Sequence, residues 1–163
     1  MLYKCATVDE ALDLLEQYDM HSSANSCYHF QIADASGDTV VVEYVDNEMS
    51  VLDPDDVTTA GQPAAGTTYM AATNFLLTPG EYDFGTGQDR YQIVTEGLEA
   101  TDGVLSEDEA MSLLAACSQE PHINSRGEES QTQWSVVYNL DKQSATIAIG
   151  RDYENVYEVS LRD

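Results

Sequence analysis

Residues 25–45, NSCYHFQIADASGDTVVVEYV, read as a β-hairpin around which the rest of the chain is arranged. The arms, residues 28–33 (YHFQIA) and 39–45 (TVVVEYV), are rich in β-branched and aromatic side chains. Between them Asp34-Ala35-Ser36-Gly37-Asp38 supplies turn chemistry, with Gly37 free to take φ > 0. The unbroken run Val40-Val41-Val42 predicts an arm covered on both faces, as in a layered α+β domain, rather than one with a wet face. Nothing in the hairpin alone performs chemistry.

Upstream of the hairpin, Thr7-Val8-Asp9-Glu10 has capping-box spacing, and Val8, Ala11, Leu12, Leu15 and Tyr18 follow at helical intervals. This predicts an amphipathic helix lying on one face of a sheet. Downstream, residues 48–52 predict a short third strand, and residues 53–66, broken by Pro and Gly, predict a long surface loop of the kind that borders a site. Residues 69–75 read as a buried strand ending in Thr73 and Asn74. Gly85-Thr86-Gly87 then leads to a helix beginning near Gln88, with Tyr91, Val94 and Leu98 as a stripe and Ile93 beside it. A turn at Asp102-Gly103 separates it from a helix opened by a second capping box, Ser106-Glu107-Asp108-Glu109, with Ala110, Leu113, Leu114 and Cys117 as its apolar face. Residues 119–131 are expected to form a mobile loop, and residues 133–140, 144–149 and 156–161 three further strands. The expected fold is α+β, a layered sandwich of mainly antiparallel sheets with helices, in a single domain spanning residues 1–163.

The composition, 163 residues and 42% hydrophobic, suits a domain with a substantial core. Thirty acidic side chains against six basic ones give a net charge of -24. Such a field repels polyanions, so nucleic acid and anionic membrane are poor partners, and the excess reads as a solvated surface serving solubility or a salty habitat. Cys5, Cys27 and Cys117 are odd in number and irregularly spaced, which fits neither a disulfide framework nor a four-ligand metal site. No metal and no cofactor is expected. The first residues, MLYKCATVDEALDLL, lack the charged and apolar regions of a signal peptide, and no apolar run approaches the roughly 20 residues that span a bilayer. The chain as given is therefore expected to be soluble and cytoplasmic.

Several constellations bear on chemistry. Cys27 and His29, two apart on a predicted strand, point to one face and have the residue types of a nucleophile and its base, although no third, orienting group is evident. His21 and His122 have no metal-ligand spacing with neighbours. Gly85-x-Gly87 before a helix has the form of a phosphate cradle, but lacks a third glycine and a lysine and is flanked by Asp83 and Asp89; a helix-entry loop is the simpler reading. Asp53, Asp55 and Asp56 do not have the spacing of a calcium loop. Arg90, one of four arginines, falls in the first turn of a predicted helix, where a cation opposes the helix dipole and needs a compensating contact.

Five segments in order, YHFQIADASGDTVVVEY, ATNF, DRYQIV, LSEDEAMSLLAACSQ and TQWSVVYNLDKQSATI, together resemble the C-terminal portion of the choloylglycine hydrolase family of linear amide C–N hydrolases, the group containing penicillin V acylases and bile salt hydrolases. The resemblance implies an N-terminal-nucleophile hydrolase fold, two sheets between helix layers. It also implies hydrolysis of an N-acyl amide by an N-terminal cysteine whose own α-amine serves as base. It assigns Asn74 the role of oxyanion donor and places Arg90 beside the nucleophile, where its charge favours the thiolate. The family's nucleophilic cysteine has no match here. Cys5 directly precedes a helix cap instead of opening a core strand, and it reads as non-catalytic. The chain is thus expected to be an incomplete hydrolase unit, inactive alone, made as a split or truncated gene product. Its expected partner is a missing N-terminal half or a second copy; the alternative is a non-catalytic assembly or binding domain derived from the family.

Overall fold

The computed structural model describes residues 3–18, 28–57, 69–124 and 126–160. The chain divides into two compact units, Met1–Thr95 and Glu96–Asp163. Among the described residues three helices and antiparallel sheets give the α+β class expected from the sequence. No described helix is long and apolar enough to cross a membrane.

In the first unit, helix α1 (Val8–Leu15) is capped by Thr7, whose Oγ1 accepts from Glu10 N at 3.2 Å. The return bond of Glu10 goes to Ala6 N at 2.7 Å, one residue earlier than a strict capping box requires. A third acceptor comes from the hairpin. Asp34 Oδ2 takes the Val8 N–H at 2.9 Å while its Oδ1 takes Ser36 N and Ser36 Oγ, so the turn of the hairpin also holds the helix entrance. These hydrogen bonds, led by that of the Ser36 hydroxyl, hold the Asp34 carboxyl below its ordinary pKa.

The hairpin forms as read: β1 (His29–Ala33) pairs antiparallel with β2 (Thr39–Val45), and β2 with β3 (Glu48–Leu52), in the order β1-β2-β3. Asp46 and Asn47 join β2 to β3 with φ of 51° and 67°, the positive values that a tight two-residue hairpin turn demands. The period of two then divides the valine run. Val40 and Val42 face α1, packing with Val8 and Leu15 and with Phe30, Ile32 and Tyr44. Val41 faces the other way, into a cluster with Leu52, Val57, Met70, Leu77 and Tyr91. Both faces of β2 are covered, and Val41 and Val42 are fully buried.

Residues 69–75 depart from expectation. They are largely buried but form no strand, and the sole pairing in this stretch is an isolated bridge from Asn74 to Thr86. The physical reason is that side chains replace a ladder. Gln31 Nε2 donates to Met70 O at 3.0 Å, and just beyond the stretch the N–H groups of Leu77 and Thr78 go to the Glu43 carboxylate. Helix α2 (Gln88–Glu99) follows, with Tyr91 and Thr95 buried; Thr95 Oγ1 donates back to Tyr91 O, which satisfies a hydroxyl on the apolar face.

In the second unit the end of α2 is closed by Gly103 N donating to Leu98 O at 2.8 Å, with Asp102 and Gly103 at positive φ. Gly97 lets α3 (Glu107–Ala116) approach, since a Cβ there would lie 2.7 Å from Leu113 Cδ1. The Ser106/Glu109 capping box is complete. In α3, Met111 is the buried residue, while Ala110, Leu113 and Leu114 of the expected apolar face are half-buried, as is Cys117 beyond its end. Residues 119–131, expected as a mobile loop, contain a two-stranded hairpin, β4 (His122–Ile123) and β5 (Glu129–Ser130). Asn124 explains it: its Oδ1 accepts from Arg126 N and Glu128 N, building the turn from its own side chain. The last sheet, β6-β7-β8 (Trp134–Asn139, Ser144–Ile149, Tyr157–Ser160), is antiparallel throughout. Lys142 bonds Glu107, and Arg151 forks both its terminal nitrogens onto Glu120.

Candidate active site

Asn74 and Arg90, sixteen residues apart in sequence, meet in the first unit: Arg90 Nη2 donates to Asn74 Oδ1 at 2.7 Å. The local geometry explains how. The Asn74 carbonyl accepts from Thr86 N at 2.8 Å, which pins the main chain of residue 74 beside the loop leading into α2. Gly85 must be glycine here, because φ is 108° and a Cβ would stand 2.8 Å from Phe75 Cβ. At Gly87, φ is 90° and a Cβ would lie 2.5 Å from Arg90 Nη2, in the space the guanidinium uses. The Gly87 carbonyl accepts from Thr73 Oγ1 at 3.0 Å and from Tyr91 N at 2.8 Å. Gly85 thus lets the loop pass Phe75, and Gly87 leaves room for the Arg90 guanidinium, as a helix-entry loop requires.

The Arg90 contact also orients the Asn74 amide. A guanidinium carries donors only, so the atom it touches is the amide oxygen. The –NH2 group, with two N–H donors, is left on an exposed residue. A neutral donor held in one orientation is what a developing oxyanion requires. Arg90 in turn finds here a contact that offsets its place in the first turn of α2.

Three and four residues beyond Asn74 the chain meets a group that the sequence reading passed over. Glu43, on β2, is 0% exposed, and its oxygens accept from Leu77 N (2.8 Å), Thr78 N (2.8 Å) and Thr78 Oγ1 (2.7 Å). His29 Nδ1 lies 3.4 Å from Glu43 Oε1. Burial pushes the Glu43 carboxyl up, but the hydrogen bonds from His29, Leu77 and Thr78 outweigh it and hold the group below its ordinary pKa. The signal in the sequence was parity: residue 43 shares the face of Val41, so a glutamate there had to be buried and paired.

Of the other candidates, Cys27 and His21 lie outside the described residues, while His29 stands opposite Glu43 in the sheet register. Cys5 Sγ donates to Glu10 O at 3.4 Å, beside the cap of α1, and is part of no strand. Asp53 Oδ1 accepts from Asp55 N and Asp56 N, a turn closed on itself. His122 Nδ1 bonds Glu120 O. Among the described residues no group of three or more His, Cys, Asp or Glu is placed to hold a metal.

Residues 1–77 match the family model described as linear amide C–N hydrolases, choloylglycine hydrolase family. The likeness read from the sequence is shown: it is to the choloylglycine hydrolases. Two of the five segments quoted above, including the one holding Asn74, lie inside the matched residues, and Arg90 lies beyond them. Among solved structures, the chain is similar to two variants of the conjugated bile acid hydrolase from Clostridium perfringens. One, a cysteine-to-alanine variant, matches with a TM-score of 0.60 and 16% identity, over 96% of this chain and 58% of that one. The other, an arginine-to-leucine variant, matches with a TM-score of 0.61, again at 16% identity over 96% and 58%. At that identity the likeness is one of fold. The chain spans 58% of the length of these two solved structures. No curated protein matches it.

Proposed function

We propose that this chain is the oxyanion-binding part of a linear amide hydrolase, one that cleaves an N-acyl amide of the penicillin V or conjugated bile acid class through an acyl-cysteine intermediate. The observation that carries the reading is the Arg90 Nη2 to Asn74 Oδ1 contact of 2.7 Å, which leaves the Asn74 –NH2 as an oriented donor pair. In the reaction a thiolate adds to the amide carbonyl carbon and the carbonyl oxygen becomes the anion that Asn74 Nδ2–H receives. The C–N bond breaks as the amine leaves protonated, and water then hydrolyses the thioester. A cysteine at a free chain terminus has its base built in, because an α-amine with a pKa of about 8 accepts a proton near neutrality. Neither Cys5, engaged with the Glu10 carbonyl, nor Cys117 has such a place, so the reading puts the nucleophile on a segment outside these residues.

By itself the chain is then inactive on amides. Assay of the isolated protein against penicillin V and glycine-conjugated bile acids, and again together with any segment encoded immediately upstream, tests this. Turnover only in the second mixture is the expected result. Rapid turnover by the isolated chain that Cys5→Ser abolishes would overturn it.

A second reading, a non-catalytic assembly module of the same descent, is favoured by one observation. Trp134, Tyr138, Ile149 and Tyr157 are all more than half exposed, and by the pairing of β6, β7 and β8 their side chains share one sheet face. Sedimentation separates the two: a stable monomer across concentration removes self-assembly, whereas a stable oligomer with no activity in either assay favours it.

A further inference from the structure

We propose that Glu43 is the residue that positions Asn74, by gripping the chain three and four residues beyond it; the inference rests on the reading of Asn74 as oxyanion donor. Residues 73–78 belong to no ladder apart from the single Asn74 to Thr86 bridge. Their main chain is held at two points. At Asn74 the carbonyl is fixed by Thr86 N at 2.8 Å. At Leu77 and Thr78 the two N–H groups and the Thr78 hydroxyl all end on one carboxylate that is completely buried. Between these points the Phe75 ring stands edge-on to Tyr91, centroids 5.2 Å apart, and Leu76 and Leu77 are buried. A segment held at both ends and packed in the middle has little freedom to rotate the peptide that carries the Asn74 side chain.

The choice of residue supports a positioning role over simple packing. Glu43 faces a cluster made of Val41, Leu52, Met70 and Leu77, where an aliphatic side chain would fill the space. Burying a carboxylate is costly unless it is fully hydrogen-bonded, and burying two main-chain N–H groups unpaired is costly as well. The carboxylate and the two amides solve each other's problem, and the result ties the middle strand of the sheet to the loop of Asn74. Arg90 sets the far end of that side chain, and Glu43 sets the backbone from which it projects.

The test uses 15N-labelled protein, with the Asn74 side-chain amide pair identified by its loss in Asn74→Ala. Glu43→Gln keeps the volume but replaces one acceptor oxygen with an –NH2, which cannot accept from Leu77 or Thr78. The expected result is faster exchange at the Leu77 and Thr78 amides together with a displaced Asn74 side-chain pair, while the amides of β1 stay protected. Exchange that quickens at Leu77 and Thr78 with an unmoved Asn74 pair would overturn the proposal. If Glu43→Gln fails to fold, Thr78→Val, which removes one donor from the same carboxylate, is read the same way.

In the enzyme completed by its nucleophile segment, Glu43→Gln should lower kcat by about 10²-fold, the scale of a group misplaced by about 1 Å, with little change in KM. In an Asn74→Ala background it should lower kcat no further. An equal fall in both backgrounds would show a merely structural role. If Asn74→Ala itself leaves kcat intact, the reading of Asn74 as donor fails, and the amide resonances still decide what Glu43 holds.

Discussion

In the proposed reaction Asn74 offers a neutral donor, and the Arg90 contact decides which end of its amide faces outward. Neither residue type reveals this alone, because an exposed asparagine and a first-turn arginine are both ordinary. Their distance of 2.7 Å makes them a pair. Removing an oxyanion donor costs about 10² to 10³ in kcat. Asn74→Ala should therefore lower kcat of the completed enzyme by that factor with the fold intact by circular dichroism. Glu43 supplies a second expectation at this scale. Its folded pKa is depressed, so it stabilises the native state above the unfolded carboxyl pKa of about 4.3, and that stability is lost as pH falls through the lower folded value. Urea unfolding from pH 7 down to pH 3 should show stability declining below about pH 4.3, and less steeply in Glu43→Gln. The sequence contained the clue, a glutamate in register with Val41, but its partners Leu77 and Thr78 lie 34 and 35 residues away and no local pattern names them.

At the level of elements, local chemistry was legible at the helix starts and in the central hairpin. The helix starts are written in their caps, Thr7 with an accepting side chain and Ser106 with a full capping box, and β1, β2 and β3 follow from their alternation and turns. Ser106 is the cleanest test, since its Oγ accepts from Glu109 N and its N–H is capped in return. Ser106→Ala should lower stability by about 1 kcal/mol in chemical denaturation, the usual worth of an N-cap. The structure departs from the sequence reading where a side chain replaces a ladder or builds a turn. Residues 69–75 have the apolar content of a strand, yet the Met70 carbonyl goes to the Gln31 side chain and not to a neighbouring strand. Residues 119–131 are polar enough to look mobile, yet Asn124 folds them into a hairpin.

On the scale of the whole molecule, charge and exposed apolar surface pull in opposite directions. With a net charge of -24, self-repulsion opposes the compact state and is screened by salt, the Debye length falling to about 3 Å at 1 M. The thermal unfolding midpoint should therefore rise by several degrees between about 0.05 M and about 1 M sodium chloride, by calorimetry; a midpoint indifferent to salt would show that the acidic side chains stand too far apart in the fold to repel. The same salt series should strengthen any association through the exposed face of Trp134, Tyr138, Ile149 and Tyr157. By itself the sequence determined the α+β class, the starts of α1 and α3, the central hairpin and the family likeness, because each depends on spacing within a few residues or on the order of short segments. Only the tertiary structure decided that Arg90 orients Asn74, that Gly87 makes room for it, that Asp34 holds the entrance of α1, and that a buried Glu43 grips the loop between. Those contacts join residues 14 to 35 positions apart or depend on where a side chain points, and it is burial, which removes water as the alternative partner, that makes the Asp34 and Glu43 bonds specific.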